Sequence, residues 1–236
     1  LDGNQTVDLV TTNFESNNLT VLSGSGDGTF GPLNTYPAGK GTHWIASGDF
    51  NLDGNIDLVT ANIDATNISS LSGNGDGSFK LPEIYEIQAT VHAVTPGDLN
   101  NDGVLDLVTA NISSNTITLL HGKGDGAFSI REEYFVGPSP HLVRINDLNN
   151  DGINDLVIPI FGRNFTTILF GDENGSFVNR TILFSGDTPS DVAIDDIDMD
   201  GNKDLVVSHF DVNYITVFIG NGNGSFVKKE NIDVHG

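Results

Sequence analysis

The chain contains no cysteine, so neither disulfides nor thiolate-bound zinc can contribute to its stability. It is also poor in positive charge. Ten Lys and Arg against 32 Asp and Glu leave a formal net charge of −22. A nucleic-acid backbone or an anionic membrane surface is held by clustered Lys and Arg, so neither is an expected partner. No apolar run approaches the length of a membrane span, and direct insertion into a bilayer is not expected. No stretch shows the three-to-four-residue apolar spacing of an amphipathic helix. The usual catalytic signatures are missing too: a cysteine nucleophile, a G-x-S-x-G elbow, an H-E-x-x-H pair and a P-loop. The expectation is a helix-poor protein that is not an enzyme.

What the chain does contain is a nine-residue acidic stretch, DFNLDGNID at residues 49–57. Asp49, Asn51, Asp53 and Asp57 place side-chain oxygens at positions 1, 3, 5 and 9. Gly54 occupies position 6, where a sharp turn favours a residue without Cβ. Hard cations such as calcium take six to eight oxygen ligands, and a loop alternating ligand and spacer can turn them all inward. The stretch returns as DLNNDGVLD at 98–106, DLNNDGIND at 147–155 and DIDMDGNKD at 196–204, always 49 residues on. Thirteen of the chain's carboxylates fall at these loop positions. A second motif, SGNGDGSF and its variants, keeps the same step and ends in Phe30, Phe79, Phe128, Phe177 and Phe226.

A fixed period in this range marks a repeat architecture. In residues 43–87, HWIASGDF reads as a strand entering the acidic loop and IDLVTANI as a strand leaving it. ISSLSG reads as a third strand, the Gly-rich turn NGDGS reverses the chain, and FKLPEIYEI forms a fourth. Four short antiparallel strands per repeat predict an all-β β-propeller of four-stranded antiparallel blades. A β-solenoid fits less well, since its coils are usually shorter and lack two hairpin turns per repeat. The expected repeats are approximately 1–42, 43–91, 92–140, 141–189 and 190–236 within a single propeller domain. The first repeat opens inside a degenerate acidic loop, with Asp2, Asn4 and Asp8 in phase but Gln5 where the turn glycine stands. The chain therefore reads as a piece of a longer propeller, the alternative being a five-bladed ring with one incomplete blade.

The blocks GDFNLDGNIDLVTAN and SGNGDGSF resemble the FG-GAP/VCBS repeat family, calcium-loop propellers that include integrin α-subunit heads. The resemblance covers the whole chain and implies seven or eight blades. It also implies about four Ca2+ ions, with side chains at positions 1, 3, 5 and 9 and the carbonyl of position 7 as ligands. The implied sets are Asp49, Asn51, Asp53, Asn55 and Asp57; Asp98, Asn100, Asp102, Val104 and Asp106; Asp147, Asn149, Asp151, Ile153 and Asp155; and Asp196, Asp198, Asp200, Asn202 and Asp204.

The expected function is that of an extracellular or cell-surface, calcium-binding module for adhesion-type contact with a protein or a surface glycan. Weak calcium loops suit an extracellular setting, where calcium is abundant. A carbohydrate-active enzyme, a polysaccharide lyase or hydrolase on a calcium-stapled propeller, is the competing reading. Three histidines at one phase, His43, His92 and His141, join Arg163 and Tyr214 on the rim opposite the loops as a possible ligand surface. The same histidines would equally serve as contacts between repeats.

Overall fold

The computed structural model describes residues 1–234. It is all-β, and its strands fall into five consecutive antiparallel sheets. The first sheet has three strands, β1 (Leu9–Asn13), β2 (Asn18–Gly24) and β3 (Phe30–Pro37). The second is a four-stranded meander of β4 (Thr42–Gly48), β5 (Asp57–Asn62), β6 (Asn67–Leu71) and β7 (Glu83–Glu86). The third repeats it with β8 (Val91–Gly97), β9 (Asp106–Asn111), β10 (Thr116–Gly122) and β11 (Phe128–Phe135). The fourth comprises β12 (Arg144–Asn146), β13 (Asp155–Pro159), β14 (Thr166–Gly171) and β15 (Phe177–Leu183). The fifth holds β16 (Pro189–Asp195), β17 (Asp204–His209), β18 (Tyr214–Gly220) and β19 (Phe226–Lys228), with a short β20 (Ile232–Asp233) also paired to β18.

The leading strands of neighbouring sheets lie side by side, β4 against β8, β8 against β12 and β12 against β16, while β1 approaches β4. This is a β-propeller-like arrangement of successive blades. Each interface between sheets carries its own apolar core. Phe50, Val59 and Ile68 of the second repeat meet Val91, Val94, Leu107 and Phe128 of the third. Strands β5 and β9, both DLVTAN, are buried at every position. A strand covered on both faces reads as a nearly continuous apolar run, without the alternation of a half-exposed one. The periodic phenylalanines clasp the preceding repeat: Phe79, Phe128 and Phe177 pack edge-on against Tyr36, Tyr85 and Tyr134, with ring centroids 5.4, 5.6 and 5.9 Å apart.

Two boundaries differ from the sequence reading. The expected fourth strand from Phe79 shortens to Glu83–Glu86, leaving Phe79 in an isolated bridge with Gly73. Pro82, which has no N–H, stands immediately before the observed strand and cannot donate to its neighbour. The third strand stops at Leu71, and beyond it the Ser72 carbonyl, which accepts Lys80 N–H at 2.9 Å, and the Gly73–Phe79 bridge continue the pairing.

Candidate metal centre

All four complete loops are built on one hydrogen-bond frame. In the first, Asp49 accepts from the N–H groups of Asp53 (3.2 Å) and Gly54 (2.9 Å), and Asn51 Oδ1 accepts from Asp53 N–H (2.9 Å). Asp53 accepts from Asn55 N–H (2.8 Å). The same bonds recur around Asp98 and Asp102, Asp147 and Asp151, and Asp196 and Asp200. Positions 1 and 5 in every loop, and the asparagine at position 3 in the first three, thus receive an N–H from further along the loop, which curls the backbone around its own oxygens. The curl needs left-handed backbone twice. Position 6 is glycine with φ of 84°, 82°, 83° and 90° at Gly54, Gly103, Gly152 and Gly201. Position 4 is also left-handed, at Leu52, Asn101, Asn150 and Met199. In the degenerate opening loop Gln5 adopts the same sense, φ 65°, without being glycine.

A Cβ added at Gly103 would meet no atom within 4 Å. The demand for glycine is therefore conformational and not steric. Asn tolerates the left-handed region and a β-branched residue does not. If the loop holds a cation, Gly103→Asn is expected to keep that capacity, and Gly103→Val to lose it with every carboxylate still present. Calorimetric stoichiometry checks this; a full complement of ions in the valine variant would contradict it.

The position-9 aspartates behave differently from the rest. Asp57, Asp106, Asp155 and Asp204 are at most 3% exposed. One carboxylate oxygen of each accepts the N–H of position 2 (Phe50, Leu99, Leu148, Ile197) at 2.9–3.1 Å. The other accepts the N–H of the first glycine in the following Gly-rich turn (Gly73, Gly122, Gly171, Gly220) at 2.8–2.9 Å. Burial pushes the carboxyls of Asp57 and Asp106 up, and that of Asp155 up to about 6, where the charges of Asp151 and Asp147 add to the effect. Among the described residues no lysine or arginine pairs with a carboxylate of these loops. Clustered, partly buried, uncompensated carboxylates with amide oxygens among them are a donor set for a hard divalent cation. In the fourth loop position 3 is Asp198 in place of asparagine, and Asp196, Asp198 and Asp204 bring carboxylate oxygens within 4.8 Å of one another.

The second loop has a neighbour that the sequence reading passed over. His121 stands where Ser23 and Ser72 stand in other repeats. Its Nδ1 lies 2.9 Å from Asp106 and its Nε2 3.8 Å from Asp102. Together with Asn100, Ser129, Glu173 and Asn174 it lines a cleft of about 470 Å³. Comparing phases across the repeats would have singled it out.

On the opposite rim the histidines form a column. His43 and His92 are 4.7 Å apart between ring centroids, His92 and His141 stack at 4.1 Å, and His141 stacks on Phe161 at 4.8 Å, which meets Phe210 edge-on. His92 Nδ1–H donates to the carbonyl of His141 (2.7 Å), and His141 Nδ1–H to that of Ser190 (3.2 Å), each one repeat on. These rings join repeats. Arg163 is exposed in the connector beside Phe161, while Tyr214 is half-buried, with its hydroxyl accepting Asp187 N–H at 3.1 Å. Arg144 and Asp191, which the sequence reading did not pair, form a two-pronged ion pair between β12 and β16 at 2.9 and 2.6 Å.

Burial, then the nearby His141 and His43, lowers the His92 pKa to about 4. With the unfolded value near 6.5, this group's contribution to stability is complete above pH 6.5 and is lost as pH falls towards 4. The ring is partly reached by solvent, so the expected loss is about 1–2 kcal/mol, or roughly 3–6 °C in Tm. In calcium-saturated protein, wild type should lose that much more than His92→Asn between pH 7 and 4.5. Parallel pH profiles would rule out a neutral, inter-repeat His92.

A model of the FG-GAP-like repeat matches the chain four times, at residues 1–60, 49–109, 98–158 and 147–207. No curated protein matches the chain in sequence. Among solved structures, an Agrocybe aegerita lectin that recognises non-reducing terminal N-acetylglucosamine aligns with TM-score 0.60 and 19% identity, over 91% of this chain and 60% of the lectin. A Bacteroides uniformis protein proposed to be a 6-phosphogluconolactonase aligns with TM-score 0.73 and 16% identity, over 95% and 70%. The Pseudomonas aeruginosa periplasmic gluconolactonase aligns with TM-score 0.67 and 14% identity, over 92% and 64%. At such identities the likeness is one of fold, and the chain spans 60–70% of these neighbours' lengths.

Proposed function

Because the chain belongs to the FG-GAP-like repeat family, we propose that its five sheets are consecutive blades of a β-propeller stapled by calcium at the four complete loops. One observation carries this: four copies of a single hydrogen-bond frame gather side-chain oxygens, and among the described residues no lysine or arginine pairs with their carboxylates, Lys203 of the fourth loop turning to Asp195. Asp49, Asn51, Asp53 and Asp57, and their equivalents in the other loops, would hold the ion with the position-7 carbonyl. The ion would supply compensating charge and fix the turn; no chemistry on a substrate is asked of it. Seven- or eight-oxygen coordination on flexible carboxylates favours calcium over magnesium, which demands strict octahedral geometry.

The protein is read as an extracellular binding module, not as an enzyme. Its contact face is the rim of connectors bearing Arg163 and the exposed Phe210, with the histidine column beneath as a rigid spine. Loops on a rigid scaffold are where such folds commonly carry recognition. A protein or a neutral glycan suits a chain of this net charge better than an anionic partner. Titration calorimetry with CaCl2 tests the metal reading, with about four ions per chain expected and silence overturning it. A glycan array probed with wild type and with Arg163→Ala/Phe210→Ala tests the contact face; binding equal in both would remove this rim from consideration.

A further inference from the structure

We infer that the second, third and fourth loops fill cooperatively, while the first fills independently. This rests on reading the loops as calcium sites, and it is carried by three side-chain amides that supply no ligand. Asn101 Nδ2–H, at position 4 of the second loop, donates to the carbonyl of Gly152 at position 6 of the third (3.0 Å). Asn154 Nδ2–H, at position 8 of the third loop, donates back to the carbonyl of Asp98 at position 1 of the second (2.7 Å). Asn150 Nδ2–H, at position 4 of the third loop, donates to Asn202 Oδ1 at position 7 of the fourth (2.9 Å). Asn202 Nδ2–H then reaches Asp200 at position 5 of its own loop (3.0 Å). The second and third loops are thus tied in both directions, and the third is tied to the fourth.

The first loop lacks this wiring. Its position 4 is Leu52, and the residue facing back from the second loop is Leu105, where Asn101 and Asn154 stand at the next junction. Among the described residues no hydrogen bond joins the first loop to the second. At Asn101 and Asn150 the left-handed backbone alone would favour asparagine. That reason does not extend to Asn154, which has no positive φ.

The coupling follows from what each bond holds. The atoms receiving these bonds belong to the turn glycine, the opening aspartate and the position-7 residue, which set the shape of the ligand ring. An ion that rigidifies one loop therefore pre-orders part of its neighbour, and the second ion meets a smaller ordering cost. Loss of negative field on filling a neighbour acts the other way. The position-5 carboxylates are exposed and the position-1 carboxylates half-exposed, so at physiological salt, with a Debye length of about 8 Å, that opposing effect is damped but not abolished.

The test is calorimetric titration of the whole chain with CaCl2 in about 0.15 M NaCl. The variants are Asn101→Gly, Asn150→Gly and Asn154→Ala, glycine being chosen where φ is positive. Wild type should show one independent site and three that fill with a Hill coefficient above 1. The triple variant should keep its stoichiometry, lose the cooperativity and require about fivefold more calcium for half-filling. A second measurement does not depend on those variants folding. Asp196→Asn, which disables the fourth loop, should weaken filling of the third, whose ligands are intact. Non-cooperative filling in wild type, or a triple-variant isotherm superimposed on it, overturns the coupling while leaving the calcium sites standing. No binding heat in wild type overturns both.

Discussion

Chelation with EDTA is expected to lower the melting temperature by on the order of 10–20 °C relative to protein in millimolar calcium. A site held at tenfold over its Kd stabilises the native state by about 1.4 kcal/mol, so four such sites give about 6 kcal/mol. For a chain of this size each kcal/mol is worth roughly 2–4 °C. The structural reason for so large a share is the placement of the loops. Each ends in an aspartate buried at the start of a second strand, and those strands, such as β5 and β9, form the cores between sheets. In a repeat array stability is nearly a sum of repeat and interface contributions, so loss of the ion at one loop is felt at both flanking interfaces. Magnesium should restore only a minor part. A melting curve indifferent to EDTA would remove calcium from the account of this fold.

Much of the fold is legible in the sequence. The 49-residue step fixes the repeat, and strand type follows from β-branched runs such as DLVTAN bounded by Gly-rich turns. The loop geometry is legible for the same reason: a loop that alternates Asp or Asn with spacers around a fixed glycine writes its turn into sequence spacing. What spacing cannot show is contact across the period. Tyr36, Tyr85 and Tyr134 recur in phase just as their partner phenylalanines do, but that each ring meets the next repeat emerges only when the sheets are stacked. His121 and the Asn101–Gly152 bond are of the same kind. The histidines illustrate the ambiguity of periodicity itself. A residue repeated every 49 positions is equally consistent with a ligand rim and with a lattice of inter-repeat bonds, and the Nδ1-to-carbonyl contacts of His92 and His141 are of the second sort. The clasp made by the position-9 aspartates is hidden in the same way, because sequence spacing says nothing about a glycine N–H 16 residues further on.

That last feature separates two substitutions in one loop. Asp151→Ala removes an exposed position-5 carboxylate, whose one backbone partner, Ile153 N–H, can turn to water. Asp155→Ala removes a carboxylate with no exposure and orphans the N–H groups of buried Leu148 and half-buried Gly171. Leaving a buried donor unsatisfied costs about 1–3 kcal/mol, so two would cost roughly 2–6 kcal/mol, and the half-buried Gly171 brings the pair towards the lower end. The buried charge is itself unfavourable without a cation, as its raised pKa records, and its removal returns part of that cost. In EDTA, Asp151→Ala should therefore melt within a degree or two of wild type, since neither protein has an ion to lose. Asp155→Ala should melt roughly 5–15 °C lower under the same conditions. With calcium present both variants should fall further behind wild type, because only wild type fills the third site, and the gap between the two variants should persist. Urea midpoints in EDTA and in calcium would decide the matter. Equal midpoints for the two variants in EDTA would mean that Asp155 is a ligand like the others, and that the bonds joining its loop to the Gly171 turn contribute little by themselves.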